Sequence, residues 1–137
     1  MTRINFKKLG AGCLVALMAS AGPALAHPHV WIDAAGEVLF EYGAIVGMRH
    51  HWTFDEYFSA WAIQGLDADG DGDLTPEELQ PLAEENIEGL DFYSYYTFAD
   101  PEGLDGHAAV AGAGDPSMVY EDGRVTLTFS MQFAEPQ

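Results

Sequence analysis

The sequence predicts an α+β fold: an antiparallel β-sheet or sandwich-like domain, interrupted by a helix–loop–helix insert. Three observations carry this. Apolar and polar residues alternate over Val30–Tyr42 and again over Ile45–Phe54, the period of half-buried strands. Apolar residues then recur at threes and fours on both sides of an acidic, glycine-punctuated stretch at 67–78, the period of helices. Alternation returns at Met118–Tyr120 and Val125–Phe133, flanking Asp122-Gly123, a strong hairpin signal.

The elements follow in order. Residues 1–26 read as a secretory signal: Arg3, Lys7 and Lys8 give a positive start, Leu9–Ala21 is uncharged and apolar, and Ala24-Leu25-Ala26 offers small residues for cleavage. Pro23 and the shortness of the apolar run argue against a membrane anchor, which needs about 20 residues. Cys13 lies inside the run, with Gly10 where a lipoprotein signal wants a Leu-like residue, so lipidation is not expected. Residues 27–137 are then the single secreted domain. It holds no cysteine, so disulfides are excluded.

The first two strands are expected to form a hairpin through a three-residue loop of Tyr42, Gly43 and Ala44, with His50 opposite Gly36. Phe54, Phe58, Trp61, Ala62 and Leu66 predict a helix over 55–66. Leu79, Leu82, Ala83, Ile87 and Leu90 predict another over 76–90, with Pro81 an awkward member. The segment 55–90 is therefore the insert. Phe92–Phe98 is expected as a strand, and 100–115 as a Gly/Pro/Asp-rich loop with one short strand.

Composition excludes some partners. The chain carries 5 Lys+Arg against 22 Asp+Glu, a net charge of −17, so a nucleic-acid surface is not expected. Removal of residues 1–26 leaves Arg49 and Arg124 against all 22 acids, a net charge of −20. Such a chain repels itself unless cations bind.

One motif names a cation. Asp67-Ala68-Asp69-Gly70-Asp71-Gly72-Asp73-Leu74-Thr75-Pro76-Glu77-Glu78 has the spacing of a twelve-residue EF-hand loop. Asp67, Asp69 and Asp71 supply side-chain oxygens, and Gly72 makes the sharp turn. Asp73 offers its carbonyl, Thr75 a water-mediated contact, and Glu78 two oxygens. Calcium takes 6–8 oxygens at about 2.3–2.6 Å, and a loop alternating acids with small residues can wrap it. Thr75, Pro76 and Glu78 also have the spacing of a capping box opening the second helix. No second such loop is present and the flanks carry Trp and Leu, so a structural calcium site is favoured over a sensor.

Cleavage after Ala26 would expose His27-Pro28-His29. A terminal amine with the His27 and His29 rings suits nickel, copper or zinc. Pro28 has no amide proton to lose, which excludes the square-planar site that needs one. His50 falls on the apolar side and reads as a hydrogen-bonded core histidine, while His51 faces the acids and His107 lies in a loop. No catalytic triad order, phosphate loop or nucleotide fingerprint occurs.

With these residues in view, the chain resembles the domain-of-unknown-function-1007 family. The resemblance rests on His27-Pro28-His29-Val30-Trp31-Ile32-Asp33, on Trp52-Thr53-Phe54-Asp55-Glu56, and on the Asp67–Glu78 loop. It implies a periplasmic component of a transport system, with genes neighbouring nickel/cobalt-type transporters, and hence a role in metal handling. Relatives usually continue with further strands, which leaves open whether this chain is truncated at its C-terminus. The position of His51 is often basic in relatives, which weighs against it as a ligand.

The expectation is a non-enzymatic periplasmic protein that binds calcium at Asp67, Asp69, Asp71, Asp73, Thr75 and Glu78. His27 and His29 are candidates for a transition metal, and a membrane metal transporter is the expected partner. No membrane insertion is expected after cleavage. The alternatives are a calcium-stiffened interaction module for a membrane partner, and a histidine-brace copper enzyme, for which no third nitrogen ligand is evident nearby.

Overall fold

The computed structural model describes residues 29–100 and 106–137. The leader, Cys13 and His27 lie outside the described residues. The chain runs β1 (Ile32–Glu41), β2 (Ala44–Phe54), α1 (Glu56–Ala62), α2 (Pro76–Asp91), a 3₁₀ turn (Ser94–Tyr96), β3 (Val110–Glu121) and β4 (Arg124–Phe133). The four strands form an antiparallel sheet in the order β1-β2-β4-β3. With two helices on one face this is an α+β domain. Among the described residues there is one sheet, not a sandwich.

The core lies between that face and α2. Val125, Leu127, Phe129, Met131 and Phe133 alternate along β4 and are buried, joined by Met118, Phe54, Leu79, Ala83 and Tyr95. A period of two on the strand meets the inner stripe of α2, which is why the same residue types recur at different spacings. The opposite face is polar and ordered by hydrogen bonds between neighbouring strands. Arg49 Nε donates to Ser130 Oγ at 3.2 Å, His51 Nδ1 lies 3.1 Å from Thr128 Oγ1, and the hydroxyls of Thr53 and Thr126 share a hydrogen bond of 2.9 Å.

Both hairpins turn on two residues with positive φ. Tyr42 (φ 50°) and Gly43 (φ 89°) join β1 to β2, and Asp122 (φ 50°) and Gly123 (φ 78°) join β3 to β4. The Asp122-Gly123 turn was expected. The Tyr42 loop is shorter by one residue than expected, because Ala44 already pairs with Glu41. The register then shifts between Leu39 and Phe40, where β2 carries the extra residue Val46, so Gly36 still faces His50.

Other departures have physical reasons. The first helix stops at Ala62, short of the expected Leu66, and Gly65 follows with φ 80°. The second helix holds as expected, with both halves of the capping box formed and Pro81 inside it, where it removes one helical hydrogen bond. Phe92–Phe98 is not a strand. Ser94, Tyr95 and Tyr96 all have φ near +50°, a left-handed turn that buries Tyr95 while its hydroxyl donates to Asp91 Oδ1 at 3.0 Å. Burial and that carboxylate together push the Tyr95 phenol up from its ordinary pKa. β3 begins at Val110, so the last six residues of the expected loop are strand, bent by register shifts at Val110/Gly112 and Gly114/Ser117 that hide its alternation. Finally, β1 was expected to be half-buried, yet only Leu39 is partly covered.

Candidate functional site

The acidic loop joins α1 to α2 and is shaped by its own carboxylates. Asp67 accepts from the amides of Gly70 (2.7 Å) and Gly72 (3.1 Å), Asp69 from Asp71 (3.2 Å), and Asp71 from Asp73 (2.8 Å). Such side-chain-to-backbone bonds are what Asp offers a turn. Gly72 takes φ 90°, a conformation that a side chain would strain. The outcome is convergence: Asp67, Asp69 and Asp71 each bring a carboxylate oxygen within 4.8 Å of the others. Nothing in the described residues neutralises three carboxylates held this close. An all-oxygen donor set of this charge fits a hard divalent cation, calcium above softer metals.

The remaining expected ligands sit at the rim. Glu78 Oε1 accepts from the Ala68 amide at 2.8 Å, and Oε2 accepts from the Thr75 amide and hydroxyl, both at 2.9 Å. Thr75 Oγ1 accepts in turn from the Glu78 amide at 3.3 Å. These bonds, the Thr75 amide first, hold the Glu78 carboxyl below its ordinary pKa. Glu78 thus ties the two ends of the loop together as an anion, and its carboxylate is not gathered with the three aspartates. Asp73 contributes its amide to Asp71, as a residue that would ligate through its carbonyl can.

A second constellation lies where β1 begins. Asp55 caps α1, accepting from the Phe58 amide at 2.9 Å on Oδ1 and from the Trp31 amide at 2.8 Å on Oδ2. The Asp55 amide donates back to the Trp31 carbonyl at 2.9 Å. These bonds, Phe58 first and then Trp31, hold the Asp55 carboxyl below its ordinary pKa. Arg124 closes the cluster, with Nε to the Phe54 carbonyl at 2.8 Å and Nη2 to Asp33 at 2.7 Å. The Ser59 hydroxyl accepts from the buried Val125 amide at 2.9 Å, tying α1 to β4. The sequence runs 29–33 and 52–56 are therefore brought together by strand pairing and one carboxylate. Sequence reasoning missed Asp55 as a hub, although an Asp directly before a helical period is a cap signal.

The histidines are scattered. His29 lines an open cavity of about 1110 Å³ with Trp31, Glu56, Tyr57 and Trp61. Among the described residues, it belongs to no group of three ligating side chains. His50 is a core residue: it stacks on Phe129 and its Nε2 lies 2.9 Å from Thr97 Oγ1. The Thr97 hydroxyl also reaches the Tyr95 carbonyl, so Nε2 is the natural donor to it. Burial first, and His51 second, lower the His50 pKa. His51 Nε2 lies 3.6 Å from Glu37, and His107 bonds Asp100.

One of the comparisons with known proteins gives a match. The family model described as "Protein of unknown function (DUF1007)" matches residues 12–137, so the chain belongs to that family. No curated protein and no solved structure matches it.

Proposed function

We propose that this DUF1007 protein is a non-enzymatic periplasmic calcium-binding protein that serves metal handling beside a membrane transporter. The observation that carries the reading is the convergence of Asp67, Asp69 and Asp71 within 4.8 Å, on a loop with EF-hand spacing between two helices. The capping box supports it, since Thr75 and Glu78 join the loop's end to the start of α2. On this reading a bound calcium ion would neutralise the aspartates, with Asp73 offering its carbonyl, Thr75 a water-mediated contact and Glu78 its carboxylate. The secretory pattern of residues 1–26 supports the location. No helix of the described residues is long and apolar enough to cross a membrane. His27 and His29 form the proposed transition-metal end of the protein, for nickel, copper or zinc.

Calorimetric titration of residues 27–137 with calcium tests the first half. One site with a dissociation constant of about 10⁻⁴ to 10⁻³ M is expected, the strength of extracellular modules. Asp67→Asn with Asp71→Asn removes it. Absence of uptake at millimolar calcium would refute the reading. For the second half, a His27→Ala/His29→Ala variant that binds nickel or copper as well as the parent sinks the claim.

A further inference from the structure

The two edges of the sheet are unlike. β3 is guarded: it contains Pro116 and two register shifts, and α2 packs on it. Proline, bulges and a covering helix are the devices that keep an edge from recruiting another strand. β1 has ten residues with no proline and no lysine or arginine, and its one irregularity lies near the turn. Among the described residues, it pairs with β2 alone.

Its two faces have different chemistry. Ile32, Val38 and Phe40 project on the face shared with the core but stay 42, 47 and 63 % exposed. Asp33, Glu37 and Glu41 project on the other. Asp33 is engaged by Arg124, and Glu37 stands 3.6 Å from His51. A long unprotected edge with exposed apolar residues is where strand addition occurs, with backbone hydrogen bonds giving affinity and alternate side chains giving specificity.

We infer that β1 is a docking edge for an extended segment of a partner protein in which apolar and basic residues alternate. Apolar side chains would extend the Ile32–Val38–Phe40 stripe, and Lys or Arg on the opposite face would stand beside Glu37 and Glu41. Charge selects this occupant. A second copy of the chain would bring another acidic strand and a net charge of −17 to the same edge. Like charges opposed across strands are destabilising, and opposite charges favourable.

The test is a titration of the ¹⁵N-labelled full chain with a capped peptide alternating Lys with Val and Thr, against the same peptide with Glu for Lys. Saturable amide shifts along residues 32–41 are expected, at least tenfold tighter for the basic peptide and weaker as salt rises. Val38→Asp with Phe40→Asp should lower that affinity tenfold or more. Glu37→Lys with Glu41→Lys, both exposed, should reverse the preference and so rescue the acidic peptide. Shifts absent from 32–41, or equal affinity for the two peptides, would overturn the inference. So would a dimer in sedimentation that protects β1, which would make a second copy the occupant. Slow exchange of the outward amides of β1 in the free chain would overturn it too, because the chain would then cover its own edge.

Discussion

β4 and β1 carry the same alternation of apolar residues and meet different fates. In β4, Val125, Leu127, Phe129 and Met131 have no exposed surface. In β1, the residues of the corresponding face stand in solvent. The difference is position. β4 is central, flanked by β2 and β3 and lying under the helical layer, whereas β1 is an edge that the helices leave largely exposed. Alternation therefore reports which face of a strand is fit for burial, and the topology decides whether anything buries it.

The largest effect that sharpens this contrast is truncation of Phe129. Its ring stacks on His50 and meets Trp52 edge-on. Phe129→Ala leaves a cavity at the centre of the core and should cost about 3–5 kcal/mol in urea-induced unfolding. A loss below about 1 kcal/mol would mean that β4 is not the centre of the core.

Calcium should act next in size, and on the helical side only. The proposed site opens α2, the helix that packs on β3. At about a hundred times its dissociation constant, an ion bound only by the folded state adds about 2.7 kcal/mol. Hydrogen exchange should slow in α2 and in the strands beneath it, with β1 unchanged. Equal protection of β1 would break the comparison.

His50 sits between the two strands, on β2, and reports on the covered side by pH. Its pKa is lowered in the fold by burial and by His51, so the folded state favours the neutral ring. The stabilising contribution is complete above the unfolded pKa of about 6.5 and is lost as pH falls below it. Unfolding free energy should therefore decline as pH falls below about 6.5, before the carboxylates near pH 4 contribute. In His50→Phe that decline should be smaller. The depressed carboxyls of Asp55 and Glu78 act in the same direction at lower pH, their contribution vanishing as each protonates.

What was legible in the sequence divides along the same line. The α2 boundaries, the capping box, the Asp122-Gly123 turn and the core place of His50 were readable, because each follows from local spacing. The extent of β3 was not, since its register shifts break the period of two that marks a strand. The Phe92–Phe98 run reads as a strand from its aromatic composition, whereas three left-handed residues turn the chain to bury Tyr95. At the candidate site, the convergence of Asp67, Asp69 and Asp71 was legible from their two-residue spacing. The link from Trp31 to Asp55 spans 24 residues and depends on the strand pairing that brings them together.

The smallest effect is the sharpest check on β1. Phe40 is an aromatic at an apolar position of an alternating strand, so by pattern alone its truncation should resemble that of Phe129. It is 63 % exposed and stands outside the core cluster. Phe40→Ser should therefore change stability by no more than about 0.5 kcal/mol, the range of uncoupled surface substitutions. A loss of several kcal/mol would mean that Phe40 is covered in solution, and the two strands would then differ less than their surroundings imply.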